Sequence, residues 1–204
     1  LQRQNERLES FASVISHDLR NPLNVVAGRI ELAREECDSD HLSDAEAALK
    51  RAEALIDDVL TLAREGESVN ATDTVRIPDV VERCCRIVET GDATVKINTD
   101  QTIEADRSRL QQLFENLTRN AIEHGGRDVT VKVGDLDDGF YVEDDGPGIP
   151  EEERNRVFES AYSTVEGNTG FGLAIVKEIV EAHGWDINVA ESGSGGARFE
   201  ITYR

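Results

Sequence analysis

Residues 1–36 repeat apolar side chains at intervals of seven, and this repeat limits the possible folds more than any other feature of the chain. One of its tracks consists of Ala12, Leu19, Val26 and Ala33. Neighbouring tracks widen this line into one broad apolar face of a helix. After a polar turn, residues 43–65 repeat the same period, so the sequence predicts a helical hairpin.

A hairpin of two amphipathic helices cannot bury its apolar face within itself. Pairing with a second copy would cover that face in a four-helix bundle, and we therefore expect a homodimer. The other possibility is a monomeric hairpin that packs against the rest of the chain.

A polar, aperiodic stretch at 67–73 is typical of a linker, and the pattern beyond it is mixed. The predicted helices cover residues 79–88, 108–123 and 170–182. The predicted strands cover residues 94–98, 102–105, 128–133, 139–143, 187–190 and 198–202. Helices and antiparallel strands in this order favour a two-layer α/β sandwich. The expected fold class is therefore α+β, with a hairpin domain at 1–66 and a sandwich domain at 71–204.

The 204 residues include 42 acidic and 22 basic side chains, which gives a formal net charge of −20. This charge argues against nucleic acid or an anionic membrane as a partner, because their phosphates would be repelled. The acidic residues are spread along the chain rather than gathered in a tail. This distribution leads to the hypothesis of a protein adapted to a salt-rich cytoplasm, such as that of a halophile.

The three cysteines do not form a disulfide framework, which favours a reducing compartment. No apolar run approaches the roughly 20 residues of a membrane helix, so we expect this part of the protein to be cytoplasmic. The chain starts at Leu1 and contains no methionine, and we expect it to be a piece of a longer protein. Whether that longer protein is anchored in a membrane is left open.

The first predicted helix contains the run Ser16-His17-Asp18-Leu19-Arg20-Asn21-Pro22-Leu23. His17 projects away from the apolar face, and Asn21, one turn later, shares its side of the helix. A histidine on the apolar face is more often a packed core residue, whereas His17 should face water beside the carboxylate of Asp18. Pro22 removes a helical hydrogen bond and should loosen the helix at this place.

Two asparagines lie four residues apart on the predicted helix 108–123, and hence on one of its faces. The amide oxygens of Asn116 and Asn120 could complete the coordination of Mg²⁺, which takes its other ligands from water and substrate phosphates. Taken alone, this spacing is more typical of a solvated polar face.

Two glycine-containing runs follow the asparagines: Asp144-Asp145-Gly146-Pro147-Gly148-Ile149 and Gly170-Phe171-Gly172-Leu173. A carboxylate at the end of a strand can accept a hydrogen bond from an exocyclic amine such as that of adenine, and glycines let the backbone approach a flat ring. The second run opens a predicted helix, whose free N–H groups bind anions. Each run alone could be an ordinary loop, but the three elements in this order predict a nucleotide pocket. It is not a Walker A loop, because G-x-x-x-x-G-K-[ST] is absent.

The order and spacing of these motifs resemble the histidine protein kinase core of two-component signalling, over essentially the whole chain. The run around His17 matches the H box of that family, Asn116 and Asn120 match its N box, and Phe158 matches its F box. The resemblance implies ATP-dependent autophosphorylation of His17 and phosphoryl transfer to an aspartate of a response-regulator receiver domain. It also implies a dimerising hairpin followed by an ATP-binding domain of the gyrase type, ATP and Mg²⁺ as cofactors, and a sensor domain preceding residue 1.

The resemblance further implies a role for each matched residue. His17 is the phosphoacceptor, Asp18 accepts or orients its ring proton, and Asn21 positions water for phosphatase action on the phosphorylated partner. Asn120 is the implied magnesium ligand, and Asp144 reads the adenine. Residues 160–169 resemble a mobile ATP lid. The implied nucleotide-binding residues are Asn116, Asn120, Asp144, Gly146, Gly148, Phe158, Gly170, Gly172 and Leu173.

Two positions depart from the family pattern. Glu123 stands where a lysine is common, and the run Ala161-Tyr162-Ser163 supplies no basic residue after the F box. We therefore expect weaker ATP binding, or a stronger dependence on magnesium and salt.

Two other functions compete with the autokinase. The first is a nucleotide-binding scaffold or phosphatase module with little autokinase activity, which the two departures would favour. The second is an ATPase of the gyrase or mismatch-repair type. It is disfavoured because Asn116 occupies the position of the water-activating glutamate, while Glu115 points about 100° away.

Overall fold

A computed structural model describes residues 22–34, 37, 39, 41–43, 45–46, 48–49, 52, 56, 72–88, 92–126, 128–159 and 170–203. The chain folds into two compact units, Leu1–Glu65 and Gly66–Arg204. His17, Asp18 and Asn21 lie outside the described residues, as does the predicted lid at 160–169, so their roles stay predictions. Within the described ranges, no helix has the length and apolar character needed to cross a membrane.

The described secondary structure of the first unit is entirely helical. Residues 22–34 form a helix, and the described positions from 41 to 56 are helical as well. The two segments are joined by an ion pair in which Arg34 Nη1 lies 2.6 Å from Glu46 Oε2. Several apolar side chains of the first segment are exposed, namely Val25, Val26 and Leu32. A single copy of the chain therefore leaves part of the predicted apolar face in water.

The described residues of the second unit form three helices and seven strands. The strands are β1 (Asp73–Arg76), β2 (Thr94–Asn98), β3 (Thr102–Ala105), β4 (Thr130–Leu136), β5 (Gly139–Asp144), β6 (Asp186–Glu191) and β7 (Ala197–Thr202). The helices are α1 (Ile77–Ile87), α2 (Arg107–Gly125) and α3 (Gly172–Ala182). Five strands form one sheet in the order β2-β4-β5-β7-β6, and β1 pairs with β3 in a separate antiparallel ribbon.

Several element bounds differ from the sequence prediction by a few residues, and two further features of this unit differ from it as well. The prediction omits β1, because Val75 is the one buried residue among its four and no alternation marks the strand. In addition, β2 pairs in parallel with β4, whereas antiparallel strands were expected. A parallel pair requires a long crossover connection, and β3 together with α2 provides it here.

The core of the second unit lies between its helices and one face of the five-stranded sheet. On β4, Val131 and Val133 are buried while Lys132 between them is partly exposed, as the alternation of side chains along a strand requires. Phe114 of α2 and Phe140 of β5 are both fully buried, and their ring centroids lie 5.5 Å apart. This contact attaches α2 to the sheet and confirms the predicted two-layer arrangement.

The start of α2 is fixed by a cap and by a histidine from elsewhere in the unit. Asp106 caps the helix, since its Oδ1 accepts hydrogen bonds from the N–H groups of Ser108 and Arg109. The Nε2 atom of His183 accepts from the N–H of Asp106 at 3.0 Å, and its Nδ1 lies 2.7 Å from the carbonyl oxygen of Ile179. These two bonds define a neutral ring with its proton on Nδ1. His183 thereby ties the end of α3 to the beginning of α2.

Candidate functional site

Asp144 is the last residue of β5 and is buried. Its Oδ1 atom accepts hydrogen bonds from the N–H of Gly146 at 2.9 Å and from the N–H of Ala197 at 3.1 Å. Its main-chain oxygen accepts a hydrogen bond from the hydroxyl of Ser192 at 2.7 Å. Both side-chain bonds end on Oδ1, so the backbone fixes the orientation of the carboxylate and Oδ2 takes part in neither bond.

The two adjacent carboxylates of this loop have different electrostatic environments. Burial raises the pKa of Asp144, because the charged form loses its hydration, while the two N–H groups and His124 partly oppose this effect. Asp145 is exposed and accepts a hydrogen bond from the N–H of Thr130 at 2.7 Å, which holds the pKa of Asp145 below its ordinary value. A buried carboxylate with a perturbed pKa is typical of a functional site, so Asp144 is the candidate of the two.

Glycines allow the loop after β5 to approach its neighbours closely. A Cβ atom on Gly146 would lie 2.9 Å from the Cα of Gly125, the last residue of α2. Gly148 has a φ of 74°, which L side chains avoid, and a Cβ there would lie 2.7 Å from the main-chain oxygen of Gly195. The path of the loop therefore depends on Gly125, Gly146 and Gly148. The sequence analysis names Gly146 and Gly148 as nucleotide-binding residues and does not name Gly125.

The turn between β6 and β7, residues 192–196, supports Asp144 from the other side. Ser192 is buried, and a Cβ on Gly196 would collide with the main-chain oxygen of Asp144. This contribution was not predicted from the sequence. In the sequence, the glycines of this turn indicate no more than a hairpin. No local pattern connects Ser192 with Asp144, because 48 positions separate them.

Asn116 lies in α2 and is buried against the start of α3. Its Nδ2 donates a hydrogen bond to the main-chain oxygen of Gln112 at 3.0 Å. Its Oδ1 lies 3.3 Å from the position that a Cβ would take on Gly172, the first residue of α3. Because Gly172 has no side chain, the amide oxygen of Asn116 can approach the beginning of α3. Asn120 lies one turn further along α2 and is half-buried.

Helix α2 therefore connects the two halves of the candidate site. Its last residue, Gly125, contacts the loop after Asp144, and Asn116 faces the start of α3. These two residues lie about 14 Å apart along the helix axis, from a rise of about 1.5 Å per residue. Helix α2 thus contacts both predicted motifs, the one around Gly172 at Asn116 and the one around Asp144 at Gly125.

The remaining predicted residues of this unit lie close to these elements in sequence. Gly170 has a φ of 69° and precedes α3 by two residues, and Leu173 is half-buried in its first turn. Phe158 is half-buried at the end of the turns that follow Pro150. In the part of the chain that the structure describes, no group of three or more His, Cys, Asp or Glu side chains could hold a metal ion.

Two family models match the chain in the order that the motifs predict. Residues 7–68 match the His Kinase A (phospho-acceptor) domain. Residues 105–204 match the histidine kinase-, DNA gyrase B- and HSP90-like ATPase. The second match includes α2, the Asp144 loop, α3 and the turn at 192–196.

Relatives of the chain are found among curated proteins and solved structures. Cyanobacterial phytochrome A of Nostoc sp. is 32% identical over 99% of this chain and 29% of its own length. The sensor histidine kinase CpxA of Escherichia coli is 28% identical over 98% of this chain and 48% of its own length. The structure of full-length ShkA in complex with AMPPNP has a TM-score of 0.69 and 28% identity, and the match covers 94% of this chain and 45% of that one. The chain thus spans less than half the length of each of these relatives.

The family match and the site geometry agree on the class of this part of the chain. Residues 105–204 form an ATPase domain of the histidine kinase, DNA gyrase B and HSP90 type. Together with the phosphoacceptor domain that precedes it, this ATPase domain gives the chain the two domains of a histidine kinase core.

Proposed function

We propose that the chain transfers the γ-phosphoryl group of ATP to His17 and then to an aspartate of a response-regulator receiver domain. The main support for this proposal is the buried carboxylate of Asp144. Two backbone N–H groups fix it at the start of a glycine-containing loop. The proposal includes a homodimer formed through the hairpin, which would cover the exposed apolar side chains of residues 22–34. It also includes a sensor domain preceding residue 1.

The adenine base is assigned to the loop after β5. The Oδ2 atom of Asp144 is the acceptor for the exocyclic amine, since the N–H groups of Gly146 and Ala197 already occupy Oδ1. Gly146 and Gly148 let the backbone lie against the plane of the ring. Phe158 is assigned to the same nucleotide site by its place in the family pattern.

The phosphates are assigned to the beginning of α3. The first N–H groups of a helix lack partners within it and attract anions, and Gly170, Gly172 and Leu173 supply this region. Asn116 faces Gly172, so its amide oxygen lies beside the same place. The predicted lid at 160–169 would close over this part of the nucleotide.

The residues present fit a magnesium ion that takes most of its ligands from phosphates and water. Asn120 is assigned as the protein ligand, with Asn116 one turn before it on α2. When bound, Mg²⁺ would neutralise charge on the transferring phosphoryl group. Neutral amide ligands suit this role, because they leave the cation's charge for the phosphates.

The chemical step requires a neutral imidazole. A ring nitrogen of His17 attacks the γ-phosphorus, a nitrogen–phosphorus bond forms, and ADP leaves with the electrons of the broken phosphorus–oxygen bond. Asp18 accepts or orients the proton on the other ring nitrogen, which keeps the attacking nitrogen unprotonated. Asn21 is assigned to orient water when the phosphorylated receiver is hydrolysed.

The decisive experiment is incubation with γ-labelled ATP and magnesium in concentrated potassium chloride, comparing the native chain with His17→Gln. We expect label that is acid-labile and alkali-stable in the native chain and absent from the variant. Label that persists in His17→Gln would assign the reaction to another residue. Nucleotide binding without label in either protein would refute the autokinase.

The second candidate is a nucleotide-binding scaffold or phosphatase module with little autokinase activity. It is favoured by Glu123, which replaces a common lysine, and by the lack of a basic residue in Ala161-Tyr162-Ser163. Addition of the chain with ADP to a phosphorylated receiver domain distinguishes the two. Accelerated loss of the receiver's phosphate, together with no labelling of His17, would favour this candidate.

We further propose that the protein belongs to a salt-rich cytoplasm. The support is the formal net charge of −20, spread along the chain. High salt would also screen the repulsion between acidic side chains such as Glu123 and the phosphates of the nucleotide.

A further inference from the structure

The hydroxyl of Ser192 is buried and takes part in three hydrogen bonds. It donates to the main-chain oxygen of Asp144 at 2.7 Å and accepts from the N–H groups of Gly196 at 2.9 Å and Ser194 at 3.3 Å. The N–H of Ser192 also donates to the carbonyl oxygen of Gly196 at 2.8 Å. One side chain therefore closes the turn between β6 and β7 and attaches that turn to Asp144.

The same turn supplies a donor to the carboxylate itself. Ala197 follows Gly196, and its N–H donates to Oδ1 of Asp144. Ser192 thus holds Asp144 in two ways. It binds the main-chain oxygen of Asp144 directly. It also fixes Gly196, and the position of Gly196 determines where the N–H of the next residue, Ala197, points. Gly148, in the loop that begins at Asp144, also packs against the main-chain oxygen of Gly195.

We propose that Ser192 is a positioning residue for base recognition, which holds the carboxylate of Asp144 at the angle that accepts the exocyclic amine of adenine. This inference rests on the proposed ATP site. Ser192 is not assigned to touch the nucleotide; it acts through Asp144. Its loss would leave the main-chain oxygen of Asp144 and the N–H of Gly196 without their buried partner, and either group would recover a partner only if the turn or the loop moved.

We expect Ser192 to affect the preference of the site for one base over another rather than nucleotide binding in general. Inosine diphosphate has a carbonyl oxygen where ADP has the exocyclic amine, so a correctly placed Asp144 favours ADP. The phosphate site at α3 is the same for both ligands and does not contribute to the preference. A residue that positions Asp144 should therefore change the ratio of the two dissociation constants.

The experiment is titration calorimetry of ADP and inosine diphosphate, with magnesium, into the whole chain and its variants. In Ser192→Ala we expect the preference for ADP to fall roughly threefold to tenfold, the range that one hydrogen bond contributes. Ser192→Thr keeps the hydroxyl and should keep the preference. Ser194→Ala is the matched control, because it removes an exposed hydroxyl from the same turn while leaving the backbone donor in place.

Ser192→Cys serves if Ser192→Ala does not fold, because a thiol of similar size is a weaker donor and should also reduce the preference. In the Asp144→Asn background, Ser192→Ala should cause no further change, since the two residues act as one unit. An unchanged ratio in Ser192→Ala or Ser192→Cys, even with both affinities reduced, would overturn the role of Ser192. A native chain that does not prefer ADP would overturn the proposed base site as well, so the two failures are distinguishable.

Discussion

At the scale of single residues, Asp144 combines two opposing requirements. Its burial disfavours the ionised form and raises its pKa, whereas the N–H groups of Gly146 and Ala197 favour the ionised form. The result is an acceptor with a fixed direction in a place that excludes most water. Recognition of a neutral amine depends more on the orientation of the acceptor oxygen than on its charge. The N–H groups of Gly146 and Ala197 fix that orientation.

Replacement of Asp144 by asparagine should weaken ADP binding by about 10-fold to 100-fold, as expected for loss of a hydrogen bond to a charged group. The amide oxygen can still accept from Gly146 and Ala197, which turns the NH₂ group toward the exocyclic amine of the base. Titration calorimetry with ADP measures the effect. Asp145→Asn is the control, since its amide oxygen can still accept from Thr130. Equal affinities in the native chain and Asp144→Asn would contradict the assignment.

His183 should make the stability of the second unit depend on pH. Burial lowers its pKa in the folded state, and its Nε2 must be unprotonated to accept from the N–H of Asp106. The unfolded chain therefore binds the proton more readily. The contribution of His183 to stability is complete above its unfolded pKa of about 6.5 and is lost as the pH falls through its lower folded pKa.

Urea unfolding of the native chain and of His183→Gln, at constant salt, tests this sign. Between about pH 8 and about pH 5 the native chain should lose more unfolding free energy than the variant, because the variant lacks the titrating ring. The same pH dependence in both proteins would show that other groups cause it.

At the scale of structural elements, the turn between β6 and β7 packs against the Asp144 loop through backbone atoms. Gly196→Ala should therefore destabilise the second unit by about 1–3 kcal/mol, the usual cost of forcing an atom into a packed site, and should weaken ADP binding. Gly193→Ala in the same turn is the matched control, because a Cβ at Gly193 would meet no atom within 4 Å. Unfolding midpoints and ADP titrations of both variants provide the measurement. Comparable behaviour of the two variants would contradict the close packing at Gly196.

The elements also show which parts of the site are readable from sequence. Asp144, Gly146 and Gly148 form a local motif, and a strand followed by a glycine loop predicts their arrangement without long-range information. Ser192 and Gly196 support Asp144 from a distant part of the chain. Serine and glycine are common in any tight turn, so their residue types do not reveal this contact. Local motifs were predictable, whereas a contact between two loops required knowledge of the sheet order.

Two fold features escaped prediction for a similar reason. β1 is short and its exposed residues form hydrogen bonds with β3 rather than packing into the core, so hydrophobic alternation does not reveal it. The parallel pairing of β2 with β4 depends on where α2 carries the chain, which no local pattern determines. The long periodic segments α2 and α3, in contrast, were assigned correctly as helices, because the burial of one face imposes its period on the sequence.

At the scale of the whole molecule, the net charge of −20 should make stability depend on salt. Repulsion among carboxylates is screened over about 10 Å at 0.1 M salt and over about 3 Å at 1 M, so added potassium chloride should raise the melting temperature. Thermal unfolding followed by circular dichroism across a potassium chloride series measures this. Sucrose at matched osmolality is the control for effects unrelated to charge. A melting temperature that is already high in dilute buffer and does not rise with salt would contradict the proposed adaptation.

The position of β7 in the sheet has a consequence for biosynthesis. β7 is the last of the described strands in sequence, yet it lies between β5 and β6 and carries the N–H of Ala197 that donates to Asp144. A nascent chain emerging from the ribosome therefore exposes an unpaired edge of β5 until residues 197–202 have left the ribosome. The carboxylate of Asp144 therefore gains the N–H of Ala197 only after β7 has joined the sheet beside β5.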